Sequence, residues 1–160
     1  MNEGFSIESS SPRKTKNIGR KLASLIEPPF DILLKGELGA GKTEFVRGFL
    51  SYWGHKIVRS PSFTVVNSFE TPKYTVHHID LFRIRDTEEI LVRGILDLLL
   101  ENDSIRFIEW PELVQDFISP EKSMMLEIEI LGTRRRALHF RCMDKKLLKD
   151  LKVLIHYEIE

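Results

Sequence analysis

The run Gly36-Glu37-Leu38-Gly39-Ala40-Gly41-Lys42-Thr43 constrains this chain more than any other part of it. Its spacing is G-x-x-x-x-G-K-[ST], and its surroundings fit. Before it, Phe30-Asp31-Ile32-Leu33-Leu34-Lys35 reads as a mostly buried strand; after it, Phe45, Val46, Phe49 and Leu50 recur along one helix face. A strand that turns through glycines into a helix aims successive backbone N–H groups, and the positive end of the helix, at one point. That arrangement suits a phosphate. Lys42 is placed to reach the β- and γ-phosphates of a nucleotide, and the Thr43 hydroxyl to ligate magnesium. The expected nucleotide site is therefore Leu38, Gly39, Ala40, Gly41, Lys42 and Thr43. With no N-K-x-D segment to read guanine, the expected ligands are ATP and Mg2+.

With 42% hydrophobic and 30% charged side chains, 160 residues should bury one core and form a single domain over residues 1–160. Lys plus Arg (24) balances Asp plus Glu (24), so nothing global attracts nucleic acid or a membrane surface. The single cysteine, Cys142, excludes an internal disulfide and suits a reducing cytoplasm. Paired Cys and His metal ligands, a leader-like start and an apolar run of membrane-spanning length are all absent from the sequence. The expectation is a soluble cytoplasmic protein.

Residues around Phe5 to Ser9 alternate weakly and suggest an edge strand. Ser10 or Ser11 before Pro12 starts a helix with Ile18, Leu22, Leu25 and Ile26 on one face, stopped by Glu27-Pro28-Pro29. Val65 to Phe69 and Tyr74 to Asp80 read as strands about a turn at Thr71-Pro72-Lys73. Asp86 and Glu89 form a capping pair for a second major helix carrying Ile90, Leu91, Ile95 and Leu98, which Gly94 weakens. Ile105 to Ile108 is a strand ending at Glu109, less apolar at Arg106 than a buried strand should be. Met124 to Ile130 and Arg136 to Arg141 read as strands about Gly132, and Lys145 to Leu154 as a helix. Alternating strands and helices point to a three-layer α/β fold of the P-loop NTPase kind, with a mostly parallel central sheet and antiparallel additions.

Hydrolysis needs carboxylates at neighbouring strand ends. Two strands supply them, at Asp80 and Glu109, which in a parallel sheet reach the edge beside the glycine-rich loop. Both are expected to be catalytic, by holding magnesium or orienting water, and Thr43 to hold the metal. Of His77 and His78, adjacent on a strand, one should be packed and the other exposed, with His78 on the side of Asp80. Arg134-Arg135-Arg136 reads as a solvated turn, with closure over phosphate or contact with RNA as alternatives. Trp53 and Trp110 read as packing residues.

Four blocks, Gly36 to Thr43, Ser60-Pro61-Ser62-Phe63-Thr64, His78-Ile79-Asp80-Leu81-Phe82-Arg83 and Glu109-Trp110-Pro111-Glu112, occur in the order and spacing of the bacterial TsaE (YjeE) ATPase family. The chain resembles that family over nearly its whole length. The resemblance implies a small Mg-dependent ATPase, slow alone and stimulated by partners, that serves the threonylcarbamoyladenosine modification of tRNA. It implies action on a complex of TsaD and TsaB, with tRNA met only indirectly. It also implies a role in hydrolysis for Asp80, metal binding by Glu109, a site-shaping Trp110 and a nucleotide-sensitive loop at Ser60-Pro61-Ser62-Phe63. Arg134 would match an arginine that approaches the nucleotide. Ser62 stands where the family usually has Thr, and Phe82 where Tyr is frequent. Two other readings remain open: a P-loop small-molecule kinase, for which Arg83, Arg85 and the Arg134–Arg136 turn are lid candidates, and a nucleotide-gated assembly factor.

Overall fold

The computed structural model describes residues 3–157. Its strands are β1 (Glu3–Ser9), β2 (Phe30–Lys35), β3 (Val66–Glu70), β4 (Thr75–Asp80), β5 (Ser104–Glu109), β6 (Ser123–Ile130) and β7 (Arg136–Cys142). They form one seven-stranded sheet in the order β1-β7-β6-β2-β5-β4-β3. The middle strands β6, β2, β5 and β4 run parallel, while β1 and β7, β7 and β6, and β3 and β4 pair antiparallel. The helices are α1 (Pro12–Ala23), α2 (Lys42–Ser51), α3 (Thr87–Val92), α4 (Ile95–Leu99) and α5 (Lys145–Tyr157). None among the described residues is long and apolar enough to cross a membrane.

Side chains alternate across a strand, so the apolar run of β2 feeds both sides of the sheet. Ile32 and Leu34 join Phe107, Leu126 and Phe140 in a core with α1, α2 and α5. Leu33 joins Ile79 and Ile108 in a second core with α3, α4 and Val114. Phe49 meets Phe107 edge-on with ring centroids 4.9 Å apart, anchoring α2 to β5. Helices α1 and α2 cross at Gly19 and Gly48, where a Cβ would lie 2.2 Å from the Phe45 carbonyl oxygen and 1.8 Å from that of Lys16. Only glycine permits this approach, and it fixes the helix that carries Lys42 and Thr43.

Local signals decide several boundaries. Ser11 rather than Ser10 caps α1, its side chain accepting from the Lys14 N–H at 3.2 Å. That helix ends at Ala23, before the proline pair, although Leu25 and Ile26 still pack on the same core. The expected second major helix is two short ones, because Gly94 takes a left-handed φ of 72° between them. Strand β3 begins at Val66, since Val65 has a φ of 67°. Strand β5 is buried throughout despite Arg106. The guanidinium is paired with Asp31, with Nε 2.7 Å from Oδ1, and donates to the carbonyls of Leu99, Glu101 and Ser104. A buried charge met on every side by acceptors does not disqualify a core strand.

Candidate nucleotide site

Parallel pairing of β4 with β5 puts Asp80 opposite Glu109 at the carboxyl ends of both strands. The glycine-rich loop leaves the same end of β2, the neighbour of β5. Their convergence leaves a cavity of about 570 Å³, in the range of small-molecule sites, lined by Gly39, Gly41, Lys42, Thr43, Asp80 and Glu109 among others. Leu38 also lines it, whereas the Ala40 side chain is fully buried behind the loop. Gly39 and Gly41 have φ of 82° and 112°, a region costly for other residues, and a Cβ on Gly39 would meet nothing within 4 Å. The loop is thus open toward the cavity where the phosphates are expected.

Lys42 opens α2 and is itself buried. Its Nζ donates to the Gly36 carbonyl at 2.7 Å, lies 3.5 Å from Glu109 Oε1 and sits 5.2 Å from the centre of the Trp110 ring. Trp110 reaches this position by taking a φ of 58° directly after β5, and its ring packs on Phe82 with centroids 5.0 Å apart. Trp110 is therefore part of the cavity wall. Val65, the other non-glycine residue with positive φ among the described residues, accepts the Asp80 N–H at 2.8 Å through its carbonyl. Both backbone conformations are sparsely populated for such side chains, and they flank the two strand ends that carry the carboxylates.

The two carboxylates differ in environment. Burial pushes the Asp80 carboxyl above its ordinary value, and nearby Glu109 adds to this; the Phe82 N–H, which donates to Asp80 Oδ1 at 3.0 Å, works against it, as do Lys42 and His78. Burial also raises Glu109, but the hydrogen bond and charge of His78, together with Lys42, outweigh it and hold this carboxyl below the usual range. His78 Nε2 donates to Glu109 Oε2 at 2.6 Å. Neighbouring acids pushed in opposite directions are suited to different tasks.

Neither histidine is exposed, contrary to the expectation for one of them. His77, on the opposite strand face, is held by Ser68 and Glu101, each at 2.7 Å. His78 does share the side of Asp80. Arg134 is exposed and does not line the cavity. Arg136 instead reaches the glycine-rich loop, donating from Nε to the Ala40 carbonyl at 2.9 Å. The sequence signal for that arginine was only its place two residues beyond Arg134. Ser60 and Ser62 line the cavity with their hydroxyls 2.7 Å apart, and the Arg83 guanidinium lies 4.8 Å from the centre of the Phe63 ring.

Among the described residues no three His, Cys, Asp or Glu side chains cluster as a metal cage. A hydroxyl at Thr43 and carboxylates at Asp80 and Glu109 are nonetheless hard oxygen donors, the kind that magnesium takes alongside phosphate oxygens and water. The donor set fits that ion.

The arrangement is that of a mixed α/β protein whose central sheet, mostly parallel in the middle, gathers a glycine-rich loop and two carboxylates around one cavity. Its family follows from comparison. The model of the family described as threonylcarbamoyl adenosine biosynthesis protein TsaE matches residues 9–138, and the chain belongs to that family. The protein called tRNA threonylcarbamoyladenosine biosynthesis protein TsaE in Rickettsia prowazekii is 32% identical over 129 residues, covering 79% of this chain and 88% of that protein. Its namesake in Haemophilus influenzae is 37% identical over 123 residues, covering 73% of this chain and 77% of that one. In fold, the crystal structure of Bacillus subtilis YdiB superposes with a TM-score of 0.75 at 23% identity, covering 96% of this chain and 97% of that one.

Proposed function

We propose that this chain is a Mg-dependent ATPase of the three-layer P-loop kind, and that its hydrolysis serves tRNA threonylcarbamoyladenosine biosynthesis, the process named for its relatives. The observation that carries the reading is the convergence of Lys42, Thr43, Asp80 and Glu109 on one cavity beside the open glycine-rich loop. The loop amides and the N-terminus of α2 bind the phosphates of ATP. Lys42 neutralises charge on the β- and γ-phosphates, and its contacts with Gly36 and Glu109 hold its ammonium at the cavity wall. Glu109, held below the usual carboxyl range beside His78 and Lys42, would with Thr43 hold Mg2+. A magnesium ion held by those two residues would supply positive charge against the phosphates. Asp80 has one oxygen fixed by the Phe82 N–H and the other free to orient the attacking water and accept its proton. Trp110 and Phe82 shield this end of the cavity.

Acting in the cytoplasm on a complex of TsaD and TsaB, the chain would meet tRNA only through that complex. Its balanced charge, 24 basic against 24 acidic residues, supports a protein partner over direct attraction to RNA. The Ser60-Pro61-Ser62-Phe63 loop, part of it in the cavity and Phe63 turned to solvent, is suited to report nucleotide state outward. The test follows γ-labelled ATP with the purified chain alone, with TsaB and TsaD, and with a metabolite panel. Inorganic phosphate released slowly alone and faster with the complex is the expected result. Label transferred to a metabolite would make the chain a kinase.

A further inference from the structure

The hairpin of β6 and β7 touches the glycine-rich loop from the side away from the cavity. The Ile128 carbonyl oxygen lies 2.8 Å from where a Cβ on Gly36 would sit, so the start of the loop is seated directly on β6. From the first residue of β7, Arg136 spans the rest. Its Nε donates to the Ala40 carbonyl at 2.9 Å and Nη2 to the Gly39 carbonyl at 3.3 Å. Its Nη1 donates back into its own turn, to Gly132 at 2.8 Å and Arg135 at 2.9 Å. One planar guanidinium thus ties the hairpin turn to two successive carbonyls of the loop. Arg136 does not line the cavity, whereas Gly39 and Gly41 do.

In a trans peptide the C=O and N–H point in opposite directions. The Gly39–Ala40 peptide is held at both ends, its carbonyl by Arg136 and its N–H by the Glu37 carbonyl at 3.0 Å. The Ala40–Gly41 peptide is held by Arg136 at the carbonyl, which turns the Gly41 N–H away from the guanidinium. Gly41 has no Cβ and a φ of 112°, so without this anchor its peptide plane has unusual freedom to rotate. A loop that must present its amides to phosphate gains affinity when their direction is fixed beforehand.

We propose that Arg136 is a positioning residue of the nucleotide site: it holds the Gly39 and Ala40 carbonyls so that the Gly41 N–H faces the phosphates, without touching the nucleotide itself. The inference rests on the nucleotide-binding reading above. The fork, and not merely the positive charge, carries the effect, because one ammonium cannot hold two carbonyls and a turn in the same geometry.

Calorimetric titration of Mg·ADP into wild type, Arg136→Ala, Arg136→Lys and Arg135→Ala tests it, with each protein held well below its melting transition. Arg135 pairs with Glu8 on the surface at 2.6 Å, so its variant controls for loss of one positive charge from the same turn. Arg136→Ala and Arg136→Lys should both bind about tenfold to a hundredfold more weakly, the scale of a lost charge-assisted hydrogen bond, and Arg135→Ala should match wild type. Millimolar methylguanidinium should restore part of the affinity of Arg136→Ala. Should Arg136→Ala fold poorly, Arg136→Lys keeps the charge and most of the stem and decides alone. Wild-type affinity in Arg136→Lys, or lowered melting of the Arg136 variants with unchanged affinity, would overturn the proposal. Failure of wild type to bind Mg·ADP at all would instead remove the nucleotide reading on which it rests.

Discussion

His78 Nε2 and Glu109 Oε2 lie 2.6 Å apart across the parallel strands β4 and β5, both residues buried, with Lys42 Nζ 3.5 Å from the second oxygen of the same carboxylate. A carboxylate only accepts, so Nε2 carries the shared proton, and Nδ1 faces no hydrogen-bond partner among the described residues. His78 is thus committed to orienting Glu109. Replacing it with Leu leaves a buried carboxylate short of a donor, and His78→Leu should lose about 1–3 kcal/mol of stability. His78→Gln, which keeps a donor, should recover part of that. Denaturant melts of the two variants check this; wild-type stability in His78→Leu would mean the bond contributes nothing.

The opposite shifts of Asp80 and Glu109 predict distinct variants. Asp80→Asn should bind Mg·ATP yet turn it over about 10²–10³-fold more slowly, the usual cost of one well-placed electrostatic group. Glu109→Gln should require more magnesium for half-maximal activity. Steady-state rates across a magnesium titration separate the two, and identical curves for wild type and Glu109→Gln would remove Glu109 from the metal site.

The Arg106–Asp31 pair is a structural counterpart to the site. Burial raises the Asp31 carboxyl against the pull of Arg106, so desolvation outweighs the pairing at this carboxyl. Breaking a buried pair by removing one partner is strongly destabilising, so Arg106→Leu should cost about 3–5 kcal/mol. The Asp31→Leu, Arg106→Leu double variant should regain only part, because the carbonyls of Leu99, Glu101 and Ser104 still lose their donor. Equilibrium unfolding measures both, and full recovery in the double variant would show that those carbonyl contacts are dispensable.

Tyr74 gives a pH signature remote from the site. Burial, aided by Glu27 and Tyr52 and opposed by the Trp53 hydrogen bond, pushes its hydroxyl up to about 12. An unfolded tyrosine ionises near 10, so the stability Tyr74 contributes is fully present below about pH 10 and is lost as pH rises to about 12, in all about 2–3 kcal/mol. Tyr74→Phe should be slightly less stable near pH 8, having lost the 3.1 Å bond from Trp53, but should fall less steeply between pH 10 and 12. Melting temperatures that decline in parallel for the two proteins would exclude this assignment.

What the sequence made legible was local. The glycine-rich loop, the flanking strand and helix, and acids at two strand ends each leave a signature within a dozen or so residues, and the structure brings Lys42, Thr43, Asp80 and Glu109 to one cavity. What it hid depends on pairing across distance. Arg106 argues against a buried strand until Asp31, 75 residues earlier, is placed beside it. Arg136 reads as one of three arginines in a turn until β7 lies behind a loop 96 residues away. The helix split at Gly94 was signalled by the glycine itself, but whether the chain kinks or breaks there was not. Trp110 reads as packing from its own neighbours and as site-shaping only through the family resemblance; the positive φ that it takes directly after β5 is a conformation no pattern of neighbours announces.

Binding of Mg·ATP by wild type and Lys42→Ala, measured by calorimetry under identical conditions, tests the central claim most directly. Lys42 joins the glycine-rich loop, through Gly36, to the carboxylate edge, through Glu109. Saturable magnesium-dependent binding by wild type, with most of the affinity lost in a folded Lys42→Ala, is the predicted result. Equal affinity in the two proteins would contradict the account.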